Sequence, residues 1–126
     1  MAFTRGDLEK IRTERQPIPV DVPEWGGTAL LRVMSGTQRD AYEVSIAGSV
    51  QPAKGQPRRL NLTNVRARLV ACCLVGEDGQ PLYDWQDPED VAALGSMDAA
   101  GLDRLFKACQ KINGITDEDV QDLAKN

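Results

Sequence analysis

The sequence predicts an α+β domain, mainly helical, in which a small N-terminal β-hairpin is followed by four or five short helices. Three observations carry this. Apolar residues alternate on either side of a Gly-Gly pair between residues 17 and 34, helical periodicity dominates the second half, and Asp87-Pro88-Glu89-Asp90 spells a helix start. The length of 126 residues suits one domain, and a chain of this size buries about two-thirds of the surface it exposes unfolded.

Residues 4–15 have only Leu8 and Ile11 to bury, so residues 1–15 read as a short polar helix or, more simply, a loose arm. Next, Ile18, Val20 and Val22 alternate as in a strand, while Pro17, Pro19 and Pro23 confine that strand to a sheet edge. Gly26-Gly27 marks the turn, and residues 28–34 form the second strand, with Ala29, Leu31 and Val33 on one side and Trp25 packing near the bend. Ser35 or Thr37 can cap the helix that follows, Thr37-x-x-Asp40 having the capping-box spacing. Its narrow stripe of Tyr42 and Ile46 predicts a surface helix ending at Gly48.

Residues 49–59 hold two prolines, a glycine and no apolar pattern, and are expected to be a mobile loop. Asn61 or Thr63 then opens a helix with Leu62, Val65, Leu69 and Cys72 on its buried face and Arg66 and Arg68 off it. That helix gives way near Val75 to a Gly76-Glu77-Asp78-Gly79 turn and a short extended stretch through Leu82, Tyr83 and Trp85. Asp87 caps a helix that starts at Pro88 and ends around Gly95. Ser96 or Asp98 starts the next, where Leu102, Leu105, Phe106, Cys109 and Ile112 make the strongest amphipathic pattern of the chain and Gly114 is the stop. Residues 115–126, with Thr116 as cap and Val120 and Leu123 apolar, read as a short terminal helix or tail.

Composition narrows the chemistry. The chain has no histidine, which removes imidazole bases, His-paired nucleophiles and His metal ligands. Three cysteines fall short of an all-cysteine zinc site and read as small buried hydrophobes in a reducing compartment. The glycine turns match no phosphate-loop spacing, and the Asp-rich 76–84 segment lacks the calcium-loop pattern. Carboxylate pairs such as Asp87/Asp90 and Glu118/Asp122 sit where acids stabilise helix starts. No enzymatic activity, cofactor or metal is therefore expected. The longest apolar run, residues 69–75, is too short to span a bilayer, and the first residues lack a signal-peptide stretch. Charge is lopsided. Residues 1–76 carry 11 basic and 7 acidic side chains, residues 77–126 carry 4 and 12, and such a dipolar chain can steer a charged partner or pair with itself head to tail. An acidic chain without aromatics among its basic residues is not expected to bind nucleic acid.

Against this background a family resemblance becomes legible. Trp25-Gly26-Gly27-Thr28-Ala29-Leu30-Leu31-Arg32-Val33-Met34-Ser35, followed by Arg39-Asp40, resembles the opening motif of tail assembly chaperones of long-tailed, siphovirus-type bacteriophages. In that pattern Trp-Gly-Gly leads into a short strand and then a helix with an Arg/Glu-Asp pair. Val65-Arg66-Ala67-Arg68-Leu69-Val70, Asp78-Gly79-Gln80-Pro81-Leu82-Tyr83 and the pair of capped helices through Leu105 extend the likeness over about residues 17–113. The chain departs from the pattern at Arg32-Val33-Met34, where the order is shifted, and at Tyr83, where the family more often has Phe.

The resemblance implies one chaperone-like domain over residues 1–126, without catalytic residues. It would work in the host bacterial cytoplasm and be absent from the mature virion. Its partners would be the tape-measure protein, whose apolar helices it keeps soluble, and the tail-tube protein, with self-association as well, and without nucleic acid or membrane. Many proteins of the family are also made as a longer frameshifted product. The expected client surface is a groove beside the helix carrying Leu102, Leu105 and Phe106, rimmed by acids, with a basic surface including Arg58 and Arg59 facing a second partner or copy. The competing readings are a structural head–tail connector or tail terminator and a small regulatory binding module.

Overall fold

The first helix owes its existence to local chemistry alone. In the computed structural model, which describes residues 1–47, 54–55 and 60–116, α1 spans Arg5–Glu14. Thr4 Oγ1 accepts the Asp7 N–H at 3.2 Å and the Asp7 carboxylate accepts the Thr4 N–H at 2.9 Å, a closed capping box. Phe3 and Leu8 occupy the hydrophobic-staple positions on either side of it. The segment expected as a loose arm is thus a capped helix, yet none of its residues is buried.

The hairpin forms as expected, from β1 (Ile18–Val22) and β2 (Gly27–Leu31), antiparallel with Ile18 opposite Leu31 and Val22 opposite Gly27. A 3-10 turn over Pro23–Trp25 closes it, and Gly26 supplies the left-handed residue (φ 70°) that only glycine adopts freely. The pairing places Ile18, Val20 and Val22 with their N–H groups toward β2. Pro17, Pro19 and Pro23 then face outward, which leaves Asp21 as the one outward N–H of this edge and blunts it against strand addition. The second strand is shorter than residues 28–34. It ends at Leu31; the Arg32 N–H still bonds the Cys73 carbonyl (2.8 Å), but by residue 34 the chain has left the sheet and the Met34 N–H donates to Asn113 Oδ1 (2.7 Å).

Helix α2, Gly36–Ala47, is capped by Ser35 rather than by Thr37 and Asp40. The Gln38 N–H donates to Ser35 Oγ (3.1 Å), and the Ser35 N–H donates to Gln38 Oε1 (2.9 Å). Ser35 and Gln38 thus close a capping box like that of Thr4 and Asp7 in α1. As expected of a surface helix, it buries only Tyr42, Ile46 and Ala47.

Helix α3, Val65–Cys73, differs most from expectation. Its N-cap is Asn64, in a left-handed conformation (φ 50°), one residue after Thr63 and three after Asn61. Every residue from Ala67 to Cys73 is buried, Arg68 included, while Leu62 lies outside the helix and exposed. The cause is tertiary: α3 is the central element, packed on α2, on α4 (Pro88–Gly95) and on α5 (Ala99–Asn113), so beyond its first two residues no face of it meets water. Its end feeds a third strand that sequence reasoning did not foresee. In β3, Leu74 and Val75 pair with Leu31 and Leu30 of β2, giving the sheet order β1-β2-β3.

The last two described helices follow their sequence signals. The Glu89 N–H donates to the Asp87 carboxylate (3.0 Å) with Pro88 at the first position of α4. The Gly101 N–H donates to the Asp98 carboxylate (2.8 Å) at the start of α5, and Gly114 ends it with φ 64°. The core gathers Val22, Leu31, Ile46, Leu69, Leu94, Leu105 and their neighbours around α3. Gly48, all of the expected loop 49–59 except the exposed Lys54 and Gly55, and the terminal segment beyond Thr116 lie outside the described residues.

Candidate functional site

Trp25 of the Trp-Gly-Gly motif anchors the hairpin to the start of α5. Its indole N–H donates to Asp98 Oδ1 while Asp98 Oδ2 accepts the Gly101 N–H, and these two bonds hold the Asp98 carboxyl below the usual range. Gly101 lies directly under the ring. A Cβ there would sit 2.5 Å from Cε2 and 2.9 Å from Cζ2, so the indole and the helix meet only because residue 101 has no side chain. One residue earlier, Glu24 takes a forked interaction from Arg104, with Nε at 2.9 and 3.0 Å and Nη2 at 2.7 Å, which holds the Glu24 carboxyl below the usual range.

Once α5 is fixed in this way, an open groove of about 610 Å³ runs between its first turns, the end of α4 and the start of α3. Small residues make its floor. Gly95 packs closely there: a Cβ would come within 2.9 Å of Asn64 Oδ1, whose side chain would have to shift, and 3.6 Å from the Ala67 Cβ. Leu62, 53% exposed, and Met97, 41% exposed, stand at its mouth with Val65, Ala99 and Ala100. One wall is polar but balanced. Asp103 accepts from Arg66 (3.4 Å) and Lys107 (2.9 Å), and the Arg66 guanidinium stacks 5.8 Å from the Phe106 ring centre. No family model, curated protein or solved structure matches this chain. The site is therefore argued from its own geometry.

That geometry revises the expected client surface. Leu102 does line the groove, although only 7% of it is exposed. Phe106 is half-buried against the core beneath Arg66. Leu105 is fully buried and packs in the core, so it cannot touch a partner; one turn of helix separates a wall position from a core position, and periodicity does not distinguish them. The rim is mixed in charge rather than acidic. Arg58 and Arg59 lie outside the described residues. Leu62 and Met97 were missed, though Met97 had a signal: it is an apolar residue between two cap candidates, where no helix face needs it.

The three cysteines are free thiols, all buried. Burial pushes the Cys72 thiol up to about 12, and hydrogen bonding to Cys73 together with burial raises Cys109. Thiol-disulfide reagents such as Ellman's reagent are expected to leave the native chain unmodified and to titrate three thiols once guanidinium unfolds it; a thiol that reacts at once in buffer contradicts the packing. Among the described residues no group of three or more His, Cys, Asp and Glu side chains could hold a metal, and no helix is long and apolar enough to cross a membrane.

Proposed function

We propose that this chain is a tail assembly chaperone of a long-tailed bacteriophage, which holds apolar helical segments of the tape-measure protein until tail-tube subunits assemble around it. The reading is non-enzymatic. It places the protein in the host cytoplasm during assembly and outside the finished virion. The observation that carries it is the groove between α3 and α5, where two large apolar side chains stand exposed over a floor of small residues. Small residues let a second helix approach to the 8–10 Å of ordinary helix packing. Burying Leu62 and Met97 beneath it adds about 1.5–3 kcal/mol for each side chain that becomes fully covered. The motif resemblance of residues 17–113 supplies the identity of the client.

The test is co-expression with the tape-measure protein encoded by the same genome. The client should stay soluble and co-purify with the wild-type chain. Leu62→Asp together with Met97→Asp should cut the recovered client about tenfold or more while leaving the melting temperature of the chaperone almost unchanged, because both side chains already face water. A client that is equally insoluble with and without the chain, or that co-purifies equally with the double variant, refutes the proposal.

A further inference from the structure

Two cations share one carboxylate at the groove between α3 and α5. Asp103 is the single acid among the described residues that line it, and both Arg66 (3.4 Å) and Lys107 (2.9 Å) bond to it. The two bonds are unequal. Lys107 sits one turn further along α5, makes the shorter contact and is the chief cause that holds the Asp103 carboxyl below its usual range. The Arg66 bond reaches across from α3 and is long for a hydrogen bond. Arg66 is therefore the cation that can turn away while Asp103 stays paired. Its side chain is 59% exposed, and stacking on the Phe106 ring keeps the guanidinium at the groove instead of out in solvent.

The backbone adds positive charge at the same place. Residues 64–67 line the groove and form the start of α3, where no side chain caps the helix and no acid occupies the first turn. The partial positive charge of that helix end is left uncovered, whereas the start of α5 is covered by the Asp98 carboxylate. An apolar groove with a surplus cation on one wall is complementary to an occupant that is apolar and carries negative charge.

On the proposed reading of this groove as the seat of an apolar client helix, we infer that the helix it prefers carries a carboxylate beside its apolar stripe and that Arg66 receives it. Leu62 and Met97 supply contact area and do not discriminate among apolar helices. Arg66 supplies the choice. On docking, its guanidinium turns from Asp103 to the incoming glutamate or aspartate, while Lys107 keeps Asp103 paired. A carboxylate about three or four residues from the apolar side chains that cover Leu62 and Met97 lies on the same helical face as they do. A lysine at that position meets Arg66 as a like charge and is disfavoured.

Two synthetic alanine-rich peptides of about 20 residues, long enough to be helical in water, test this. They share one leucine stripe and differ at a single flanking position, glutamate in one and lysine in the other. Binding to the full chain, read by fluorescence anisotropy of the labelled peptide, should favour the glutamate peptide about threefold to tenfold, and less so as salt rises. Arg66→Gln should bring the preference below about twofold by weakening the glutamate peptide, and Arg66→Lys, which keeps the charge, should retain part of it. Leu62→Ala with Met97→Ala should weaken both peptides about tenfold or more and leave their ratio unchanged. Circular dichroism confirms that each variant is folded. If neither peptide binds at about millimolar concentration, the groove seats no helix and the proposed function falls with the inference. If both bind equally, or the preference survives Arg66→Gln, the inference alone is overturned.

Discussion

Gly101→Ala should destabilise the protein by about 2 kcal/mol, read from denaturant unfolding, although alanine is ordinarily the better helix former by about 1 kcal/mol. The new methyl group would fall within 2.5 Å of the Trp25 ring, closer than real Cβ contacts come, and the indole would have to leave both Gly101 and its hydrogen bond to Asp98. Overpacking of this kind costs about 1–3 kcal/mol and a lost hydrogen bond about 1 kcal/mol, which together outweigh the propensity gain. The sign is the sharper test. In a Trp25→Ala background the obstruction is gone, so the same Gly101→Ala change should stabilise by up to about 1 kcal/mol. If Gly101→Ala has the same effect with and without Trp25, the hairpin is not anchored to α5 through this contact.

Arg68→Met should cost about 2–4 kcal/mol, because three charge-assisted hydrogen bonds disappear and two main-chain carbonyls lose their donor. Arg68 is 7% exposed, and its guanidinium donates to Ser45 O (2.9 Å), Ser45 Oγ (3.0 Å) and Asn61 O. Together with the Asn61 N–H bond to Ile46 O (2.7 Å), it clamps the end of α2 to the chain re-entering before α3. Burial works against the charge and lowers the Arg68 pKa, and among the described residues the Nε–H has no partner. The favourable terms are thus the fork of bonds and the C-terminal end of α2, where a cation is stabilised. Arg68→Lys should not rescue, since an ammonium cannot reproduce the fork and is more strongly hydrated. Hydrogen exchange at the Asn61 amide should quicken in both variants. Unchanged stability and protection in Arg68→Met would show that an apolar side chain of this length suffices and that the clamp is incidental.

Much of the architecture is written in short-range chemistry. Capping residues, prolines and glycines act within one turn of chain, so a linear reading finds them. The hairpin around Gly26-Gly27, the edge position of β1, the Asp87-Pro88 start of α4 and the span of α5 from Asp98 to Gly114 are all of this kind. The third strand is not. Leu74 and Val75 close an apolar run that suits helix or strand equally, and only the free edge of β2 decides between them. Arg68 looked like a solvated residue because its nearest sequence neighbours say nothing about the carbonyls of Ser45 and Asn61.

The groove between α3 and α5 follows the same division. Periodicity placed Leu102, Leu105 and Phe106 on one helix face, which is correct, but that face is wide enough to hold a groove wall, a core residue and an Arg-stacked ring. Which residue takes which role depends on where α3 and α4 lie, and those positions are set by contacts between residues far apart in sequence, such as Trp25 with Gly101 and Glu24 with Arg104. Sequence alone determined the fold class and most of the helix ends, because caps and turns are local. Tertiary structure alone decided what is buried and what is left to bind, because burial depends on neighbours that the chain meets only when folded.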